Sequence, residues 1–224
     1  MSNSNAQLSI RDLLFGDLSL EMIASFAART GDDSPWAHFA VAHQRHQQGD
    51  SFGAIVELEK VLDLERLESR VYPQAWYCLR QLGSFPPADI ASEIKGVVVE
   101  AALEEGLDIV AAYADHSARY FNYSGAGVVW DIAEPEMDKL IDRLLSQGQE
   151  IIPHIGLWEQ ARPPAPPAGT VRINLLTCGG LYMGQAAFAD MGQDPLGGQA
   201  IKAAITLMQA LIARQTGRAS SHNG

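Results

Sequence analysis

Four groups of residues in this chain have the types that do chemistry. Asp115-His116-Ser117 sets an acid, a base and a hydroxyl in consecutive positions. A hydrolytic relay needs the acid to orient the base and the base to activate the nucleophile in space. Neighbours on a turn rarely point at one another, so the triplet reads as a turn. Cys178 stands beside Gly179 and Gly180, where backbone N–H groups can stabilise a thiolate. Its bases would be His116 or His154, both remote in sequence, and a hairpin corner accounts for the same residues. Gly179-Gly180 and Gly197-Gly198 lack the GxGxxG or GxxxxGKS spacing of a phosphate-binding loop. His38, His43 and His46 crowd one stretch without an HExxH pattern or an acidic partner. No catalytic set, metal site or cofactor is expected.

Residues that could bind rather than react are better represented. Tyr113, Tyr120, Asn122, Tyr123 and Trp130, joined by His154 and Trp158, form the candidate binding group. Strand alternation puts Tyr113 with Ala111 on one face, Tyr123 with Phe121 on one face of the next strand, and Tyr120 with Asn122 on the opposite one. One sheet face should pack on helices and the other should be open to water or a partner. Tyrosine and tryptophan on an open face give contact area with a polar handle; ordinary core and cross-strand pairing is the plain alternative. The stretch 161–169, ARPPAPPAG, carries overlapping PxxP spacings at Pro163/Pro166 and Pro164/Pro167 behind Arg162. That suits an aromatic-grooved partner, but a stiff Pro-rich connector needs the same prolines, and the connector is the preferred reading.

The elements that must position these groups follow from periodicity and punctuation. Residues 1–8 form a polar, disordered tail, and 9–85 a helical module. Ser19 caps a helix bearing Leu20, Ile23, Phe26 and Ala27, ended by Thr30-Gly31. Pro35 opens a second helix with Trp36, Phe39, Ala40 and His43 on one face, closed by Gly49. Asp50 or Ser51 starts a third with Ile55, Leu58, Val61 and Leu62 inward, and a fourth covers Gln74 to Leu82. Ser84-Phe85-Pro86-Pro87 breaks the run, so 86–215 is read as an antiparallel α+β module with a polar tail over 216–224. A short helix from Ala88 to Lys95 leads into strands over Val97–Leu103, Leu107–Ala114, Arg119–Tyr123 and Val128–Asp131, with Gly, Asp and Ser at the corners. Pro135 starts a helix striped by Met137, Leu140, Ile141, Leu144 and Leu145, with Gly148 as its stop. Val171, Ile173 and Leu175 alternate with Arg172 and Asn174, which reads as a half-buried strand. Cys178-Gly179-Gly180 turns it into Leu181–Phe188. Asp194 and Pro195 open the last helix, with Ile201, Ile205, Met208, Leu211 and Ile212 on its apolar side.

Trp36-x-x-Phe39-Ala40 and Trp76-Tyr77-x-Leu79 resemble the first helix of a tetratricopeptide-type repeat. The spacing between them exceeds the roughly 34-residue period, so helix pairs without a true repeat are expected. The later order of three or four strands, helix, two strands, helix is similar in outline to the profilin and roadblock class of small α+β folds. That likeness is of shape, without a diagnostic motif. It implies sequential strands paired side by side and both helices on one face.

Composition excludes several function classes. The net charge of −11 offers no basic face for nucleic acid or for anionic lipid, and no run approaches the ~18 apolar residues of a membrane span. Two cysteines, Cys78 and Cys178, make neither a disulfide framework nor a four-ligand zinc site. With no secretory leader in MSNSNAQLS, a soluble, acidic, cytoplasmic protein is expected. The expected function is a non-catalytic binding or scaffold protein that meets a protein partner, or a second copy of itself, through the helical module and the sheet face. The alternative is a small-molecule sensor or enzyme with its pocket between the helical module and the sheet, using His154, Cys178 or Asp115.

Overall fold

The structure, a computed structural model, describes residues 9–27 and 34–221. The chain divides into two units, Met1–Pro87 and Ala88–Gly224.

In the first unit a 3-10 turn, Arg11–Leu14, precedes α1 (Leu20–Ala27), α2 (Pro35–Gln47), α3 (Ser51–Leu62) and α4 (Val71–Gln81). Ser19 caps α1: its Oγ accepts the Met22 N–H at 3.3 Å. The stop expected at Thr30-Gly31 lies outside the described residues. Asp50 Oδ1 accepts the Gly53 N–H at 2.8 Å, satisfying an orphan donor of α3's first turn. α2 and α3 pack as a hairpin, with Phe39, Ala42, Ala54, Leu58 and Val61 wholly buried. Ile55 and Leu62, expected inward, are half-buried. Glu57 takes an inward place instead, and is 6% exposed. A buried carboxylate needs partners, and it has them: Lys60 Nζ at 2.8 Å, His38 Nδ1 at 3.2 Å and Arg45 Nη2 at 3.6 Å. The Lys60 ammonium, opposed by burial and helped by His38, holds the Glu57 carboxyl below its ordinary range.

The second unit begins with α5 (Ala88–Ala91), which stops short of Lys95 because β1 (Ile94–Ala102) already starts there. Then come β2 (Leu107–Tyr113), β3 (Ala118–Phe121), β4 (Gly127–Trp130), α6 (Pro135–Ile151), a 3-10 turn (Ile152–His154), β5 (Leu157–Trp158), β6 (Thr170–Thr177), β7 (Leu181–Ala187), α7 (Phe188–Gln193) and α8 (Gly197–Ser221). The strands form one antiparallel sheet in the order β4-β3-β2-β1-β6-β7-β5. The protein is thus of the α+β class, with helices first and an antiparallel sheet after them. β5 and α7 are additions to the expected outline.

One sheet face carries the core. Val97, Val99, Val110, Ala112, Val128, Trp130, Ile173 and Leu175 cluster with Met137, Ile141 and Leu144 of α6 and with Ala200, Ala204, Leu207 and Leu211 of α8. Gly148 does not stop α6, which runs on to Ile151. It marks where the helix comes nearest the sheet: a Cβ there would meet Val97 Cγ2 at 2.7 Å, Ile94 Cδ1 at 2.9 Å and Leu175 Cδ2 at 3.0 Å. In α8 the buried stripe is Ala200, Ala203, Ala204, Leu207 and Leu211, one step round from the stripe read in the sequence. Alanines let the helix approach closely, so that face turns inward and leaves Ile205 45% and Ile212 38% exposed. Asp194 Oδ1 accepts the N–H groups of Leu196 at 3.1 Å and Gly197 at 2.6 Å, and α8 continues past Thr216, where a polar tail was expected, to Ser221.

The second sheet face corrects the sequence reading. It was expected to stand open, yet Val98, Glu100, Ile109, Ala111, Tyr113, Arg172, Asn174 and Leu176 are each no more than 5% exposed. β6 is therefore not half-buried. It is buried along both faces, with its polar alternates inside.

Candidate functional site

The seven residues of the expected binding group do not assemble. Tyr120 and Trp130 belong to the helix-covered face, and Tyr113 to the other, where it is 1% exposed. Trp158 sits in β5, at the opposite edge of the sheet; five strand spacings separate β5 from β3, about 24 Å at the usual distance between neighbouring strands. His154 ends the 3-10 turn and is exposed. Several of the seven have structural duties. Asn122 Oδ1 accepts from Ser124 N, Ser124 Oγ and Ala126 N at 3.0, 2.7 and 3.1 Å, which builds the β3–β4 turn. Tyr123 is 58% exposed, and its N–H donates to Asp108 Oδ1 at 2.9 Å. The Tyr120 hydroxyl donates to Asp108 Oδ2 at 2.9 Å, and burial, with that carboxylate beside it, pushes the phenol up to about 12. Trp158 Nε1 donates to Ala161 O at 3.1 Å, holding the start of the Pro-rich segment.

The other groups resolve as local structure. His116 adopts a left-handed backbone at φ +60°, and its Nε2 lies 2.9 Å from Asp142 Oδ1 on α6. Asp115 Oδ1 instead accepts the Ser117 N–H at 3.0 Å, so the triplet is an Asx turn. Cys178 is 1% exposed. Cys78 is buried too, and burial pushes its thiol up to about 12. Among the described residues no three His, Cys, Asp or Glu side chains gather as metal ligands. In the Pro-rich segment Pro166 is buried and the Pro164 carbonyl accepts from Arg172 Nη1 at 2.7 Å, so the segment is tied down onto β6.

Two arrangements were not read from the sequence. The first is a polar cluster inside the second sheet face. Glu100 Oε2 accepts from Asn174 Nδ2 at 3.1 Å and lies 3.4 Å from Arg172 Nη1. Asn174 Nδ2 also donates to Val98 O at 2.9 Å, and Gln185 Oε1 receives Arg172 Nε at 2.9 Å and Nη2 at 2.6 Å. Neither amide flip helps Asn174, because both neighbours of its Nδ2 are acceptors; its buried Oδ1 has no hydrogen-bond partner. The signal was a glutamate inside a valine run, Val97-Val98-Val99-Glu100, too polar for a strand core unless paired.

The second is a pocket inside the helical unit, of about 90 Å³, with apolar walls from Leu13, Leu18, Ile23 and Trp36 and a polar side from Asp12, Arg70 and Gln74. Its frame is stitched by hydrogen bonds across more than fifty residues of sequence. Gln74 Nε2 donates to Leu18 O at 2.7 Å and its Oε1 accepts the Leu18 N–H at 3.0 Å. Arg70 Nη1 donates to Leu13 O at 3.2 Å. Gly16, at φ +62°, lets the loop pass the start of α4, where a Cβ would come 2.7 Å from Arg70 O. Trp36 is held by Phe39, their ring centroids 5.8 Å apart.

Fold and site together define an α+β protein with a pocket-bearing helical unit ahead of an antiparallel sheet. The chain matches no protein-family model, no curated protein and no solved structure. No helix among the described residues is long and apolar enough to cross a membrane.

Proposed function

We propose that the protein works by binding rather than by covalent chemistry, and that its helical unit is the receiving module. The observation that carries this is the pocket whose walls, Leu18, Ile23 and Trp36, are held in place by Gln74 and Gly16. A concave, mostly apolar hollow with a few fixed polar groups is the usual form of a recognition site. The candidate nucleophiles point the same way. Cys178 is buried, at 1% exposure, away from an incoming substrate, and His116 Nε2 lies against Asp142 Oδ1. Two free cysteines and a net charge of −11 fit a reducing, cytoplasmic setting and a partner that is neither nucleic acid nor anionic membrane.

Backbone-amide NMR of the full chain, titrated with a library of small polar and apolar fragments, tests the reading. Binders should move the signals of residues 12–23, 36 and 70–74. Binders that all map to residues 88–221 would overturn it. Self-association is a second reading, favoured by Ile205 and Ile212, exposed seven positions apart along α8. Sedimentation equilibrium checks it: a dimer weakened by Ile205→Asp supports it, and a monomer at high micromolar concentration removes it.

A further inference from the structure

We infer that the pocket of the helical unit takes a small neutral molecule, a short branched aliphatic chain carrying one uncharged hydrogen-bonding head such as an amide or an alcohol. This rests on the binding reading above and names the ligand class. The state of the two ionic groups that line the pocket carries it, because both are already engaged within the protein. Arg70 Nε donates to Glu68 Oε2 at 2.7 Å, an ion pair, and Asp12 Oδ2 accepts from Ser9 N at 3.1 Å and Ser9 Oγ at 2.6 Å. An ionic ligand would shed its water in a mostly apolar hollow without meeting an unengaged counter-charge, and that desolvation is costly. An anion would also face the Glu68 carboxylate that sits beside Arg70. A neutral head loses far less on leaving water.

The walls decide the rest. Leu13, Leu18, Ile23 and Trp36 line the hollow, with Leu18 and Ile23 only 6% and 3% exposed, so the ligand's chain belongs against them. A volume of about 90 Å³ is smaller than the ~150 Å³ of a dry cavity that accepts benzene, which selects a short branched chain over an aromatic ring. Gln74 makes no contact with the head, because both ends of its amide are engaged with Leu18; it fixes the wall. The head belongs at the Arg70 side, where Nε and Nη1 are committed to Glu68 and to Leu13 O and Nη2 remains a donor for a neutral oxygen.

Four compounds test this on the unaltered full chain: isobutyramide, isobutyrate, isobutylamine and benzamide, each titrated to tens of millimolar while the Trp36 indole signal is followed by NMR. Isobutyramide should shift that signal, and the carboxylate and the ammonium should each bind about tenfold more weakly or worse. Benzamide should not enter. Leu13→Phe, which fills the hollow from a half-buried wall, should remove isobutyramide binding. Either ion binding as tightly as the amide, benzamide binding as well as isobutyramide, or binding that survives Leu13→Phe would overturn the assignment. Failure of isobutyramide while another fragment still occupies the pocket would sink the neutral-ligand assignment alone. A pocket that no fragment enters would sink the binding reading with it.

Discussion

Replacing Arg172 by methionine should destabilise the sheet unit more than any other single change of similar volume. The guanidinium is 4% exposed in total side-chain terms, and its acid partner Glu100 is 0% exposed. Methionine keeps much of the apolar stem but removes the charge. Glu100 then loses its cation, Gln185 Oε1 loses two donors, and Pro164 O loses one. Breaking a buried pair from one side costs about 3–5 kcal/mol, because the desolvated partner is left uncompensated. Amide hydrogen exchange is the assay, since the slowest amides of β1 and β6 open only with the unit as a whole. At about 1.4 kcal/mol per decade, their exchange should speed up by roughly two to nearly four orders of magnitude. The double variant Glu100→Met/Arg172→Met removes both charges and should be more stable than Arg172→Met alone. A single-variant loss under about 1 kcal/mol, or a double variant no better than the single, would refute the account of this cluster as a paired buried charge.

Gly148→Ala sets about 1 kcal/mol of helix propensity gained against about 1–3 kcal/mol of overpacking on Val97, Ile94 and Leu175; urea unfolding should show a net loss, larger for Gly148→Val. The Tyr120 phenol, pushed up to about 12 by burial and Asp108, keeps its proton where an unfolded tyrosine sheds it near 10. The stability tied to this group is therefore intact below pH 10 and falls as pH rises from 10 towards 12. Absorbance titration should find the Tyr120 phenol titrating late, and Asp108→Asn should bring that late transition down. Native protein at pH 8 should not react quickly with Ellman's reagent at Cys78, whose thiolate fraction there is about 10⁻⁴ given a thiol at about 12; rapid labelling before unfolding would contradict that burial.

Most of the element order was legible because it is written locally. The β1–β2 turn announces itself in Glu104-Glu105-Gly106, and Gly106 does take a positive φ of +140°. Ser19, Asp50 and Asp194 cap the helices that follow them. The misreadings share one cause: a period gives the face of a residue but not what that face meets. Alternation correctly put Arg172 and Asn174 on one side of β6 and Ile173 on the other. It then assigned the polar side to water, because their partner, Glu100, lies 72 positions from Arg172. In α8 the same limit took the larger apolar side chains for the buried ones, whereas a helix packed closely on others buries its alanines first. Gly148 was taken for a stop signal because a glycine needed for close approach and one needed for a helix end look identical in sequence.

The candidate site was illegible for a related reason. Aromatic residues were gathered as one group because they are close in sequence, yet an antiparallel sheet sends Tyr120 and Trp158 towards opposite edges. The pocket is built the other way, from Asp12, Leu18, Trp36, Arg70 and Gln74, each unremarkable where it stands. What joins them is a set of side-chain to backbone hydrogen bonds, Gln74 to Leu18 and Arg70 to Leu13. Those bonds fix the loop between the 3-10 turn and α1 against the start of α4, and so give the hollow its frame. A site of this kind depends on tertiary framing of ordinary residues. Loosening the frame with Gln74→Ala should therefore remove ligand binding even though Asp12, Trp36 and Arg70 all remain.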